Sequence, residues 1–98
     1  DWVAITEDIL SAAKVGSVGE AWALLGTVLS YSTALALAEG GRPVLLMLDD
    51  DPAGRRGAAE ASKTLNLLGV WNKQVYFGKD PKGVDRSTIK AKAKELLP

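Results

Sequence analysis

The sequence predicts an α/β domain: a four-stranded parallel sheet flanked by helices. Three observations carry this. Short apolar runs alternate four times with stretches of helical periodicity, in the order βαβαβαβα. The runs lack a polar alternation, which marks strands buried on both faces under covering helices. Each run then ends in glycine or polar residues: Glu7-Asp8, Gly26-Thr27, Asp49-Asp50-Asp51 and Lys79-Asp80.

Taken in order, Asp1–Ile5 is the first strand. TEDILSAAKVG comes next as a helix, with Thr6 or a neighbour as its cap and acids in its first turn. Its expected apolar stripe is Ile9, Ala12 and Ala13, and Gly16 stops it. Ala21–Gly26 is the second strand, apolar on both faces. Ser30 caps a helix from Tyr31 to Glu39, ended by Gly40-Gly41. Pro43–Leu48 is the third strand. Pro52 then occupies a first helical position, with Asp51 as the cap. That helix runs to about Leu68, with Gly54, Ala58, Ala61, Leu65 and Leu68 on its buried face, and Gly69 ends it. The small residues at its start let it lie close to the sheet. Gln74–Gly78 is the fourth strand and KDPKGVD a turn-rich loop. Ser87 caps the last helix, whose stripe is Ile89, Ala93 and Leu96, with Lys90, Lys92 and Lys94 in water.

The 98 residues, 47% apolar and 24% charged, describe one domain spanning residues 1–98. The first strand starts almost at the first residue, which is not Met, so a domain cut from something longer is expected. A formal net charge of zero argues against a chain-wide electrostatic grip on nucleic acid or membranes. The charge is uneven, however: residues 1–51 hold eight acids and two bases, and residues 70–98 seven bases and three acids. An acidic front and a basic back suit a metal and an anion respectively. Without cysteine there is no disulfide, no thiolate metal site and no thiol chemistry, which fits a reducing compartment. Without histidine, Ser-His-Asp and Cys-His catalysis and most zinc sites are excluded. No apolar run reaches membrane-span length and no signal peptide is visible.

The carboxyl ends of parallel strands share one edge, and ligands bind there where the strand order reverses. Placing strand three beside strand one, with strand two on the far side, gives the order 2-1-3-4. Glu7, Asp49, Asp51 and Asp80 then converge on the switch point. Asp50 is left out, because alternation points it away from Asp49 and Asp51. Convergence is costly: two unit charges at 4 Å repel by about 4 kcal/mol at an effective dielectric near 20. A small domain's whole stability is about 5–15 kcal/mol. Either some acids take up protons or a divalent cation binds. With only oxygen ligands on offer, the ion is a hard one, Mg²⁺ or Mn²⁺. Each acid also has a purely structural reading. Asp51-Pro52 starts a helix well in any protein, Glu7-Asp8 is an ordinary N-terminal turn, and Asp80 precedes a turn proline.

The segments TEDILSAAKVG, ALLGTVLS, LLMLDDDPAGRRGAAEASKTLNLLG and GKDPKGVD together resemble the TOPRIM domain, in order and over nearly the whole chain. That domain is shared by bacterial-type primases, type IA and II topoisomerases, OLD-family nucleases and RecR-type repair proteins. Its hallmarks are a Glu after the first strand, here Glu7, and D-x-D after the third, here Asp49-Asp50-Asp51. D-x-D-x-A-G-R with Leu-Gly-Thr upstream is most similar to the primase branch. EDILSA and DPK are most similar to primases and primase-helicases of bacteriophages. The resemblance implies that Asp49, Asp51 and Asp80 hold Mg²⁺ (or Mn²⁺), with Glu7 as ligand or general acid/base. Arg55 matches a family position that could meet phosphate, and Lys82 is a second phosphate candidate. It further implies nucleotidyl transfer onto RNA primers on a DNA template, from nucleoside triphosphates. Zinc-binding and helicase domains on the same polypeptide, and a cytoplasmic setting in a bacterium or phage-infected host, belong to that picture. The isolated chain is expected to be weak or inactive alone. It departs from cellular primases at Ser11, where they often have an acid, and at Asp80-Pro81-Lys82, where they often have D-P-D.

Three alternatives stand beside this reading. One is a TOPRIM domain from a nuclease or topoisomerase branch, although Tyr31 and Tyr76 read as packing residues rather than nucleophiles. Another is a phospho-accepting receiver with Asp49 as acceptor and Glu7-Asp8 as the metal acids, which would need a fifth strand and a loop before the helix. The third is a scaffold whose acids are only caps.

Overall fold

The computed structural model describes residues 1–98. Its elements are β1 (Val3–Thr6), α1 (Ile9–Gly16), β2 (Glu20–Ala23), α2 (Tyr31–Gly40), β3 (Val44–Leu46), α3 (Pro52–Leu67), β4 (Asn72–Gln74), a 3₁₀ turn (Pro81–Gly83) and α4 (Arg86–Leu96). The strands pair in the order β2-β1-β3-β4, all parallel, as the sequence predicts.

The sheet's two faces each bury one set of side chains, because successive residues of a strand point to opposite sides. Val3, Ile5, Val44, Leu46 and Leu48 join Ala34 and Leu37 of α2 and Ala58, Ala61 and Leu65 of α3 in one core. Ala4, Leu45 and Met47 join Val15 of α1 and Ile89 and Ala93 of α4 in the other. Each large apolar side chain so buried contributes roughly 1.5–3 kcal/mol. The central strands β1 and β3 are fully buried, whereas the edge strands β2 and β4 are partly exposed.

Capping matches the sequence at α2 and α3. Ser30 accepts from the Thr33 N–H, and Asp51 accepts from the Gly54 N–H at 2.7 Å, with Pro52 at the first helical position. Elsewhere the structure differs from the sequence reading. In α1 the cap is Asp8, one of the neighbours of Thr6, so the helix starts later and its first turn holds no acid. This phase buries Ser11 and Val15 and leaves Ile9 exposed, correcting the Ile9/Ala12/Ala13 stripe. In β2 the regular ladder stops at Ala23, short of a left-handed Leu25 (φ 60°), while the Leu24 N–H still donates to Thr6 O and the Gly26 N–H to Glu7 O. In β4 the paired residues are Asn72–Gln74 rather than Gln74–Gly78. The Val44 N–H donates to Trp71 and the Val75 N–H to Leu46, which exhausts the short β3 ladder. Val75, Tyr76 and Phe77 still pack against the cores after leaving it. At the far end, Asp85 rather than Ser87 precedes α4, and Lys92 is half-buried.

The small residues of α3 bring it close to the sheet edge. A methyl at Gly57 would run into the Thr27 carbonyl and lie 3.1 Å from Leu48 Cδ2, whereas one at Gly16 would meet nothing within 4 Å. Gly57→Ala is therefore expected to lower stability by about 1–3 kcal/mol in urea denaturation. Gly16→Ala should be neutral or slightly stabilising.

Candidate functional site

The register that pairs Ile5 with Leu46 places the residues after β1 and β3 side by side. Glu7 lies between the end of β1 and the cap of α1, so no helix claims its side chain. Its Oε1 accepts the Asp49 backbone N–H at 3.1 Å across the strand ends. Gly54, in the first turn of α3, closes over this contact. A methyl there would collide with the Asp49 carbonyl and come within 2.8 Å of Glu7 Oε1. Glycine at this position is thus a condition for Glu7 and Asp49 to meet beneath the helix.

The remaining acids are distributed by their partners. Asp51 spends Oδ1 on the α3 cap. Asp50 points elsewhere, as alternation predicts: it accepts from Arg55 Nε at 2.7 Å and from the Gly78 N–H at 2.9 Å. Asp8 caps α1 through the Ser11 N–H at 2.7 Å. Asp80 leads the 3₁₀ turn and binds Lys82 Nζ at 2.9 Å, and the same ammonium reaches Asp8 Oδ2 at 3.3 Å. Asp49 Oδ1 is buried and has no hydrogen-bond partner.

Electrostatics tie these groups together. Burial pushes the Asp49 carboxyl up to about 6, helped by the charges of Glu7 and Asp80. Burial also raises Glu7. The Asp49 N–H opposes that shift, and the charges of Asp51, Asp8 and Asp80 add to it. Asp8 is lowered, first by the Ser11 N–H and then by Lys82. Glu7, Asp49, Asp51 and Asp80 therefore share one electrostatic patch, but no three of the side chains close around a single ion position.

An orphaned, buried carboxylate oxygen suits a hard cation. The donor set around it is all oxygen, so the residues present fit Mg²⁺ or Mn²⁺, with Glu7 and Asp49 as the fixed pair. Asp51 keeps one oxygen beyond its cap, and Asp80 is shared with Lys82.

Of the two phosphate candidates, Arg55 stacks its guanidinium 4.0 Å from the Tyr76 ring centroid and pairs with Asp50, while Lys82 lies among the acids. The sequence reading kept Asp8 out of the TOPRIM acid set and named it, with Glu7, only as a metal acid of the receiver alternative. Its signal was its place directly after Glu7 at a helix start. Beside the patch, Thr27, Val28, Ala53, Arg56 and Gly57 line a groove of about 430 Å³ between the β2–α2 loop and α3. None of the acids of the patch borders it. No helix is long and apolar enough to cross a membrane.

A family model described as Toprim-like matches residues 6–85, from the end of β1 to the residue before α4. The chain belongs to the Toprim-like family. It is also similar to the crystal structure of the Aquifex aeolicus primase, comprising its zinc-binding and RNA polymerase domains. The TM-score is 0.78 at 27% sequence identity, over 97% of this chain. The match covers 25% of that primase chain, so this TOPRIM domain corresponds to a quarter of its relative. Among curated proteins none matches. Fold, strand order and primase-type TOPRIM character thus agree with the sequence reading.

The raised Asp49 carboxyl has a consequence for stability. The folded state binds this proton more tightly than the unfolded state, whose carboxyl titrates near 3.8. Its favourable contribution is full below that value and is lost as pH rises through about 6. In metal-free buffer Asp49→Asn, which cannot ionise, should melt higher than wild type near pH 7. Thermal scans across pH should show the gap closing as the pH falls from about 6 to about 4.

Proposed function

We propose that this chain is the metal-dependent nucleotidyl-transfer module of a DNA primase, acting within a longer polypeptide in RNA primer synthesis. The observation that carries this is the buried, unpartnered Asp49 Oδ1 beside Glu7, on a fold of primase type.

In this reading Glu7, Asp49, Asp51 and Asp80 hold Mg²⁺ or Mn²⁺. The bound ion supplies charge neutralisation and orientation for a nucleoside triphosphate as a primer 3′-hydroxyl attacks its α-phosphorus. The protein's own part is positioning. The strand ends fix Glu7 and Asp49 against each other, and Gly54, lacking a side chain, leaves room for both beneath α3. Asp51 is oriented by the cap bond that leaves its second oxygen unspent. Glu7 gives Oε1 to the Asp49 N–H, so Oε2 is the oxygen left to serve as an ion ligand or, alternatively, as general acid/base. Phosphoryl transfer needs little other side-chain chemistry, which accords with a chain lacking histidine and cysteine.

Arg55 has N–H donors beyond those Asp50 takes, and its place in the first turn after D-x-D suits a phosphate contact. Template binding, the zinc and helicase modules and the source of the nucleotides belong to the parent polypeptide. The scaffold alternative accounts for Asp51 and Asp8, which are caps, but not for Asp49, which caps nothing.

The test is primer synthesis by the full-length protein. Loss of a group that only orients a metal ligand costs roughly 10–100-fold. Asp49→Asn should cost at least the upper end of that range, with the fold kept by circular dichroism. Retained synthesis rejects the reading, and metal-dependent DNA cleavage in place of synthesis would assign the chain to the nuclease branch.

A further inference from the structure

The contacts of Asp50 join three parts of the fold. Beyond β4 the chain turns through a left-handed Gly78 (φ 77°), and the Gly78 N–H donates to Asp50 Oδ2 at 2.9 Å. That bond leaves Oδ1 for the first turn of α3, where it accepts from Arg55 Nε at 2.7 Å and pairs with Nη2. The guanidinium lies over the Tyr76 ring, whose hydroxyl donates to Gln74 Oε1 at 2.7 Å. The Asp50 side chain is 14% exposed, whereas that of Arg55 is 54% exposed. The carboxylate is thus sheltered and doubly held, while the cation it carries stays open to solvent.

An arginine has five N–H donors. Asp50 occupies one edge of the Arg55 guanidinium and Tyr76 covers one face, so the Nη1 edge is left to meet an anion. A long side chain loses rotamer freedom when it grips a ligand, and fixing it beforehand removes that cost. As a stabilising latch alone the pair would achieve little, since ion pairs open to solvent contribute weakly. We propose that Asp50 is a positioning residue: held by the Gly78 N–H, it fixes the Arg55 guanidinium so that its free edge receives the triphosphate of a nucleotide. This rests on the nucleotidyl-transfer reading above. It gives the residue between the two hallmark acids a part in the reaction that acts through Arg55 and needs no metal contact.

The test is a double-variant cycle on the full-length protein, read by primer-synthesis kinetics and by calorimetric titration of inorganic tripolyphosphate in Mg²⁺. Asp50→Ala should raise the nucleotide KM about 10-fold, with a smaller change in kcat, and weaken tripolyphosphate binding to match. Arg55→Gln should do the same, and Asp50→Ala combined with Arg55→Gln should be no worse than Arg55→Gln alone. Asp50→Asn keeps an acceptor for the Gly78 N–H but offers Arg55 no charge. It should fall between wild type and Asp50→Ala, and it carries the test if Asp50→Ala does not fold. Unchanged KM and tripolyphosphate affinity in the folded Asp50 variants overturn the positioning role and leave the transfer reading standing. So do losses that multiply in the double variant. A wild type that neither makes primers nor binds tripolyphosphate overturns both readings.

Discussion

The structure depends on one contact between strand ends: the Glu7 carboxylate accepting the Asp49 backbone N–H. β1 and β3 are adjacent and parallel, so the turns that leave them emerge on the same edge. Sixteen-residue α3 starts immediately after that edge and returns over it. For two carboxylate-bearing turns to fit beneath its first turn, the residue facing them must lack a side chain, and it is Gly54. The helix is fixed in the same place by Asp51 and by the tight approach of Gly57 to Thr27. Fold and site therefore share their constraints. The feature that lets the first turn of α3 pack closely, Gly54, lies directly over Asp49, whose Oδ1 is buried.

The acids near this edge do not act alike, and the differences come from hydrogen bonds rather than from residue type. Asp8 and Asp51 each give an oxygen to a helix start, where the unsatisfied N–H groups favour a negative charge. Asp50, in the middle of the D-D-D run, leaves the patch altogether and ties α3 to Gly78 through Arg55. Only Asp49 has a buried carboxylate oxygen with nothing to bind. An isolated structural cap would not be built this way, because an unsatisfied buried carboxylate oxygen costs stability. The three consecutive aspartates thus divide into one oxygen held in reserve, one surface latch and one cap.

Much of this was legible in the sequence because the relevant signals are local or periodic. Unbroken apolar runs marked the buried parallel strands, Asp51-Pro52 marked the start of α3, and the four-three spacing of Gly54, Ala58, Ala61 and Leu65 marked its buried face. Alternation alone removed Asp50 from the site, and its bonds to Arg55 and Gly78 agree. The illegible parts depend on choices between near-equal local options. Thr6 and Asp8 can both cap α1. The choice of Asp8 rotates the helix so that Ser11 and Val15, not Ile9, face the core. The end of β2 lies short of a left-handed Leu25, and the end of β4 is set by the three residues of β3 available for pairing, neither of which a composition window registers. The meeting of Lys82 with Asp8 spans 74 positions of sequence and results from how the 3₁₀ turn docks on α1. No spacing rule reaches that far.

The supports of the acids differ in stiffness, and this bears on how the patch would accept an ion. Glu7 and Asp49 continue central strands whose side chains are completely buried, so their separation is fixed by the sheet itself. Asp80 sits instead at the head of a short turn docked on α1, and its carboxylate is held by a lysine two residues on. A hard ion such as Mg²⁺ demands near-octahedral geometry but needs only one or two protein carboxylates, with waters and substrate phosphates completing its shell. A strand-borne pair would meet that small requirement without the turn-borne acid. It also explains why these acids can share one electrostatic field without already being gathered around a common point: the rigid pair defines the position, and the acid on the turn has a second partner to leave.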